Sequence, residues 1–503
     1  MAFESNKFSV AKKINLPSSD FSIECNVSLG SEIGKILSIG VKAYDENYET
    51  LNGVLNYSGV VDLKIIFMTS DGEINSTCHS CNFSSKFESN EIMTGQEAVI
   101  SLKVVDYSIE SISNENIRII VNLNQSGICL GENEVNSIGS ADEDVCCKNE
   151  EIEIIKLVGS KKESFDVESE VNLRENIKKI LATESQVLQK NIESATGFVS
   201  LQGEVLTRVL YLTDEDKFDS FYVNEPFKEE IEVDGAEKDF IAEAYLSIKE
   251  SDVSTQIEND EKGQKLTIKV PVCANIKIFK NELVTVIEDL YSTKNEINIT
   301  TESFENSVTC PSAMIEDKIE GSLTLEEDAP RVDKVLFASG NSVNLTNVYS
   351  QDGQIFVEGI AKTNVVYLND ETNSLNSVQV DVPFSFSDKF DCECEGILVA
   401  TAVVSDVDVI VKKGRDLYYD AKIKVNLNCY YNKVAGIISE ASMTEPLPER
   451  DYAMEVVFAP SGENAWNIAK STHVPVEQVT LQNPDLIFPL EQDSSIVLYY
   501  QKG

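Results

Sequence analysis

A five-residue pattern that occurs three times constrains the fold of this chain more than any other feature. An aliphatic residue, a variable residue, lysine, an aliphatic residue and leucine follow one another at 33–37, 177–181 and 332–336. A glycine follows each pentad lysine by 24 or 25 residues, and an aromatic residue follows each glycine by eight. These are Gly59 with Phe67, Gly203 with Tyr211, and Gly359 with Tyr367. Repeats of this length predict three homologous domains in tandem.

Short segments around these landmarks alternate between apolar and polar residues. Examples are 356–360 and 423–427, and turn residues such as Ser70-Asp71-Gly72 separate the segments. A period of two is typical of half-buried strands, so the sequence predicts a mainly β protein with sandwich-like domains. We expect the β domains to span residues 1–143, 144–300 and 301–440. Because each is large enough to bury its own core, we expect them to fold as separate bodies joined by short linkers.

The second pentad lies in a segment that also has a helical pattern. Residues 175–190 contain good helix formers with apolar residues three and four positions apart. The segments around Lys35 and Lys334 lack this pattern. Homologous domains share a fold, so we predict a strand here, with a local helix as the alternative. The pentad lysines are interpreted as charges on strand faces.

The repeat ends before a different C-terminal segment. Prolines and charges predict a linker at 441–451. A strand at 454–458, helices at 465–470 and 475–481, and a strand at 495–500 then predict a small βααβ domain over 452–503. Asn464 can cap the first helix, and Pro475 suits the first position of the second.

Composition excludes several functional classes. The formal net charge of −43 repels nucleic acid and anionic lipid surfaces. No apolar run approaches the length of a membrane span, and the N-terminus has no pattern of a secretory signal, so we expect a cytoplasmic protein. The acidic residues either keep a β-rich protein soluble or steer it to a basic partner.

The residues that metal and catalytic sites need are scarce. Eleven cysteines without an export signal predict reduced thiols. Cys78 and Cys81 have the two-residue spacing of a zinc site, but no second ligand pair stands nearby, and surface thiols are the simpler interpretation. The chain has two histidines, His79 and His473, and no nucleotide-binding or nucleophile-elbow motif. We expect no enzyme activity, cofactor or metal.

The C-terminal segment resembles a LysM module, the small fold best known for binding N-acetylglucosamine polymers. Trp466-x-Ile-Ala-Lys470 and Asn483-Pro484 carry the resemblance. The chain departs from the family at 462–464 and at 491–494, in or near the sugar-holding loops, which weakens a glycan-binding role. We predict a partner-binding surface on the same loops. It consists of Pro460, Gly462, Glu463, Asn464, Trp466, Gln482, Asn483, Pro484 and Leu486, although Trp466 is also expected to anchor the core of the module.

The three upstream units are similar to the SPOCS domain of spore-coat proteins. The pentad, the glycine strand with its aromatic residue and the Pro-Phe pairs at 226–227 and 383–384 carry this resemblance, whereas the first unit has Asn82 in place of proline. Tandem SPOCS domains before one LysM module resemble the SipL-like family of coat morphogenetic proteins. The resemblance implies a scaffold in the mother-cell cytoplasm at the forespore surface. It implies docking of the LysM module onto the coat-basement ATPase SpoIVA, besides contacts with other coat proteins. The alternative is a protein that binds peptidoglycan or cortex glycan.

Overall fold

One arrangement of antiparallel strands occurs three times in the computed structural model of the chain. The structure describes residues 3–173, 176–260, 263–309, 313–372, 374–389 and 397–500. The first copy contains β1 (Phe3–Ser28), β2 (Ile33–Leu51), β3 (Val54–Thr69), β4 (Ile74–Glu88), β5 (Glu97–Ser113) and β6 (Asn116–Ala141). The second contains β7 (Val145–Asn172), β8 (Ile177–Ala195), β9 (Phe198–Thr213), β10 (Phe218–Glu232), β11 (Ile241–Ile248), a 3₁₀ turn (Glu250–Asp252), β12 (Ser254–Asp260) and β13 (Gly263–Ser292).

The third copy and a small C-terminal unit complete the chain. The third copy contains β14 (Asn295–Thr309), β15 (Ala313–Thr324), β16 (Val332–Gln351), β17 (Gln354–Asn369), β18 (Leu375–Lys389), β19 (Ile397–Lys413) and β20 (Asp416–Pro446). The C-terminal unit contains β21 (Met454–Ala459), α1 (Ala465–Thr472), α2 (Val476–Gln482) and β22 (Ser494–Tyr499). No helix in these described ranges is both long and apolar enough to cross a membrane.

Each copy pairs a three-stranded meander with a second sheet built around one long strand. In the first copy the sheets are β2-β3-β4 and β1-β6-β5. Alternate residues of both sheets, such as Val61 and Leu63 on β3 and Ile119 and Val121 on β6, meet in one buried cluster. The mainly β, sandwich-like architecture predicted from the period of two is therefore present.

A repeated contact explains why glycine and phenylalanine recur together. Gly59, Gly203 and Gly359 lie directly opposite Phe83, Phe227 and Phe384 on the neighbouring strand. A β-carbon at Gly203 would lie 2.5 Å from Cζ of Phe227 and 2.4 Å from the carbonyl oxygen of Leu188. The ring thus covers the glycine, and a larger residue would displace it. The predicted core aromatics Phe67, Tyr211 and Tyr367 are buried.

The second pentad is a strand, as predicted from its homology to the other two. β8 begins at Ile177 and pairs with β9 along its whole length, with shifts in register at 177/179, 180/182 and 189/191. β2 and β16 have shifts at the corresponding positions. The repeat therefore includes its β-bulges, and tertiary pairing overrides the local helical pattern. Residue 175, where that pattern begins, lies outside the described residues.

The expectation that the copies are separately packed bodies is wrong. Each copy has its own core, but four further clusters combine residues of different copies. One contains Ile66, Leu210 and Val366, which occupy the same place in the three copies, one residue before the aromatic landmark. Three equivalent residues can meet only if the copies surround a common line, so the copies are related by an approximate threefold axis. Apolar surface at that axis is buried only when all three copies are present.

The pentad lysines connect neighbouring copies. Lys35 donates to the carbonyl oxygen of Leu375 at 2.7 Å and to Asn376 at 2.9 Å, so the first copy is bound to the third. Lys179 donates to the carbonyl oxygen of Ile74, which binds the second copy to the first. Lys334, at the equivalent position, is exposed. The interpretation of these lysines as simple face charges therefore misses their contacts between copies.

Buried ion pairs also cross between copies. Lys13 of the first copy pairs with Glu243 of the second at 3.0 Å, and both side chains are buried. Lys277 of the second copy pairs with Glu97 of the first at 2.5 Å. Burial of such groups is costly unless the partner is in place, so these pairs favour one arrangement of the copies over others.

Two further expectations need correction. β20 continues to Pro446 because its end pairs with the start of β14, so the predicted linker at 441–451 begins as a strand. Seven described cysteines are free thiols, including Cys78 and Cys81, but Cys429 is disulfide-bonded. The expectation of reduced thiols throughout is therefore wrong at Cys429.

A buried carboxylate between the second and third copies predicts a dependence of stability on pH. Burial alone would raise the pKa of Glu204, but hydrogen bonds from Lys190, Lys424 and Asn224 outweigh it and lower the pKa to about 2. Since the unfolded value is 4.5, this stabilisation is present above pH 4.5 and is lost as the pH falls towards 2. We expect Glu204→Gln to remove about 3 kcal/mol of stability at pH 6 and little at pH 2.

The measurement is the free energy of unfolding by denaturant at several pH values. Glu230→Gln, at an exposed position of β10, is the matched control and should leave the pH profile unchanged. Equal losses for Glu204→Gln at pH 6 and pH 2 would contradict the assignment.

Candidate partner-binding site

The C-terminal unit has the expected order of strand, helix, helix and strand. β21 and β22 pair antiparallel from Met454 opposite Tyr499 to Ala459 opposite Ser494. The inward side chains of this sheet, including Ile496 and Leu498, pack against Ile468 and Ala469 of α1 and Val479 of α2. This small core fixes the two loops that carry the predicted binding residues.

The loop between β21 and α1 is bonded to the loop between α2 and β22. Gly462 has a positive φ of 88°, and its N–H donates to the carbonyl oxygen of Leu490 at 2.7 Å. The N–H of Leu490 donates in return to the carbonyl oxygen of Glu463 at 2.9 Å. Asn464 caps α1, since its side chain accepts from the N–H of Asn467 at 2.9 Å. The structure thus joins Gly462 and Glu463 to the second loop through Leu490, a residue outside the predicted set.

Two other predicted residues use their side chains to hold the edge of β22. Asn483 accepts from the N–H of Val497 at 2.9 Å and donates to its carbonyl oxygen at 3.0 Å. Gln482 bonds in the same way to both backbone groups of Tyr499, at 2.6 and 3.0 Å. These side-chain amides pair with the edge of β22 as a third strand would. Their polar groups are therefore hydrogen-bonded within the unit.

The remaining loop residues differ in exposure. Pro460 and Pro484 are exposed, whereas Leu486 is half-buried and packs against the core of the unit. The exposed aliphatic side chains next to the predicted set are Leu481 and Ile487. Ile487 rather than Leu486 therefore presents apolar surface to solvent in this loop.

Trp466 is engaged by the second copy. Its indole N–H donates to Asp289 at 2.8 Å, and its ring packs edge-on against Tyr291 with centroids 5.1 Å apart. Lys470, one turn later on α1, pairs with the other oxygen of Asp289 at 2.5 Å. The hydroxyl of Tyr291 donates to the carbonyl oxygen of Val474 at 2.7 Å. The face of α1 that carries Trp466 is therefore an internal docking face.

The contacts of Asp289 with α1 favour its charged form. Burial alone would raise the pKa of Asp289, but hydrogen bonds from Lys470 and Trp466 outweigh it and hold the pKa below its usual value. His473 extends the same contact, because its Nδ1 lies 3.0 Å from the carbonyl oxygen of Ser292. The C-terminal unit thus sits at the end of β13 in a defined orientation.

The opposite side of the unit presents an apolar surface that the sequence prediction missed. Met454, Val456 and Phe458 alternate along β21, and Tyr499 lies directly opposite Met454 on β22. We call these four residues the outer sheet face. All four are exposed, and Phe458 is 82% exposed. β21 is apolar at every position except Glu455, so its sequence indicates apolar side chains on both faces but not which face is left exposed.

The unit that carries this apolar surface is acidic. Six acidic residues and one lysine lie between 452 and 500. An exposed apolar patch on a charged unit is typical of a protein-binding site. Such a surface suits a partner that combines apolar side chains with basic residues.

The described residues offer little for catalysis or metal binding. No group of three or more His, Cys, Asp or Glu side chains within them is placed to hold a metal ion. Cys78 is exposed and Cys81 half-buried on β4, and His473 is engaged with backbone at the docking contact.

Comparison with known proteins identifies the repeated unit. Residues 176–258 and 331–412 match the family model described as "SipL, SPOCS domain". The chain is therefore a protein with tandem SPOCS domains. These two regions make the chain similar to SipL-like proteins, a family connected with sporulation and the spore coat. No curated protein and no solved structure gives a match. The first copy, which has Asn82 in place of proline, lies outside the matched regions although it has the same order of strands.

The docking contact predicts that Asp289 holds the C-terminal unit in place. We expect Asp289→Ala to leave Trp466 and Lys470 without their partner and to detach the unit from β13. Loss of a hydrogen-bonded charge at a partly buried contact costs about 1–3 kcal/mol, which corresponds to a roughly 5- to 150-fold rise in the detached population. Limited proteolysis in the segment 447–453 measures this population.

Glu288→Ala is the matched control, because Glu288 pairs with Lys148 on the surface. It should leave the cleavage rate unchanged. Equal cleavage rates for wild type and Asp289→Ala would show that the contact does not hold the unit.

Proposed function

We propose that this protein is a non-enzymatic scaffold of endospore coat assembly. In this proposal the C-terminal unit is a LysM-type module that docks onto the coat-basement ATPase SpoIVA. The chain then connects SpoIVA to other coat proteins at the forespore surface, in the mother-cell cytoplasm. The SPOCS match supports the connection with the coat, and the outer sheet face supports docking through the C-terminal unit.

The outer sheet face is the observation that carries the docking part of the proposal. Trp466 donates a hydrogen bond to Asp289 and packs against Tyr291. Gln482 and Asn483 hydrogen-bond to the backbone of β22. Much of the predicted loop surface is thus engaged inside the molecule. The largest group of exposed apolar side chains that this unit leaves for a partner is the outer sheet face, whereas Leu481 and Ile487 are exposed in the helix and loop outside it.

Scaffolding also agrees with the way the copies are assembled. Shared clusters and ion pairs fix three β units in one body, and the contact at Asp289 fixes the orientation of the terminal unit. A rigid body with one docking face and three related β units can hold several partners at set distances. Such an arrangement raises the effective concentration of bound partners for each other.

Replacement of Phe458 tests docking. We expect Phe458→Ser to weaken binding of the purified chain to purified SpoIVA by about 30-fold, because an exposed aromatic anchor typically contributes about 2 kcal/mol or more. The fold of the unit should persist, since this side chain is 82% exposed. Calorimetric titration gives the affinity, and circular dichroism checks the fold.

Leu481→Ser is the matched control, since Leu481 is 79% exposed but lies outside the outer sheet face. It should bind SpoIVA as wild type does. Unchanged affinity of Phe458→Ser would reject this face as the docking surface. Retention of the chain on purified peptidoglycan without any binding to SpoIVA would favour the alternative of a glycan-binding protein.

A further inference from the structure

A cavity of about 350 Å³ lies where the three copies meet. Its walls are β2 and β5 of the first copy, β8 and β11 of the second, and β16 and β19 of the third. Each copy therefore contributes the first strand of its meander and the strand that faces it. The cavity is a product of the packing between copies and is absent from any single copy.

Positions that are equivalent in the three copies line the cavity, but the residues at these positions differ between the copies. Lys42, Gln186 and Ser342 each pair with the residue three positions after the repeated glycine. Lys103, Ser247 and Val399 pair with Asn124, Cys273 and Asn428, which lie on the long strands β6, β13 and β20. All six line the cavity. Lysines occupy both positions in the first copy, so this side of the cavity differs in charge from the other two.

The positive charge of Lys103 is not balanced by a neighbour. Lys42 pairs with Glu250 and donates to the carbonyl oxygen of Ser185 at 2.8 Å, and Lys162 pairs with Asp45 at 3.3 Å. Lys103 makes no hydrogen bond or ion pair within the part of the chain that the structure describes. Burial lowers the pKa of Lys103, which reflects the loss of water around its amino group.

Another polar group of the cavity also lacks a partner. The side-chain oxygen of Gln186 is buried without a hydrogen bond, whereas the hydroxyl of Tyr44 lies near the carboxylates of Glu250 and Asp62. Both residues line the cavity. Much of the remaining wall is apolar, with side chains such as Val104, Leu246 and Val343. Polar and charged side chains such as Asp45, Lys162 and Asn275 line the wall alongside these apolar ones. A concave surface that combines apolar walls with polar groups is typical of a small-molecule site.

We propose that this cavity binds a small organic carboxylate. The carboxylate accepts hydrogen bonds from the Lys103 amino group, and the apolar part of the ligand lies against the valine and leucine side chains. An inorganic anion would leave that apolar wall without contact, and a neutral ligand would leave the lysine unpaired. The site is separate from the outer sheet face and does not depend on docking.

Titration calorimetry of the full chain with benzoate and hexanoate tests the proposal. We expect at least one of them to bind at a single saturable site. Benzyl alcohol, which lacks the charge, and inorganic phosphate, which lacks the apolar part, should bind at least tenfold more weakly. Lys103→Met should weaken carboxylate binding by roughly 10- to 100-fold, the effect of losing a charged hydrogen bond.

Two further variants separate loss of the site from loss of the fold. Lys103→Arg keeps the charge and should retain most of the affinity. Lys228→Met removes an exposed lysine on β10 and should have no effect. The proposal is wrong if neither carboxylate binds the wild-type chain, if Lys103→Met binds them as well as wild type does, or if benzyl alcohol binds equally.

Discussion

Burial of equivalent apolar residues at a common axis is the constraint on which the whole structure depends. Ile66, Leu210 and Val366 can leave water together only when all three copies are in place. The long strands of the copies form three further shared clusters, one of which includes Val10, Ile154 and Ile437. Apolar burial of this kind is the dominant favourable term in folding. The three copies are therefore parts of one body.

The polar contacts between copies fix the orientation in which these apolar surfaces pack. Ion pairs such as Lys13 with Glu243 and Lys424 with Glu204 are surrounded by packed strands and add orientation to the apolar contacts. Tandem duplication produces identical neighbours, and divergence of single residues then makes each interface distinct. The pentad lysines are an example, because Lys35 and Lys179 donate hydrogen bonds to a neighbouring copy whereas Lys334 is exposed.

Sequence reasoning succeeded where the cause of a feature lies within one copy. Gly203 and Phe227 recur because they are direct cross-strand neighbours, and the period of two follows from half-buried strands. The same reasoning could not find contacts between copies. The partner of Trp466 is Asp289, 177 residues away, and no local pattern connects them. The sequence did not predict the outer sheet face for a related reason, because an apolar strand does not reveal which of its faces is covered.

The central claim is that the copies meet at their pentad strands, and a pair of serines tests it directly. Ser38 and Ser339 lie on the first and third copies, and their hydroxyl oxygens are 2.6 Å apart. In the double variant Ser38→Cys/Ser339→Cys we expect a disulfide to form under mild oxidation, detected by mass spectrometry of the peptides joined through residues 38 and 339. Free thiols at both positions under conditions that oxidise accessible pairs would contradict the shared axis.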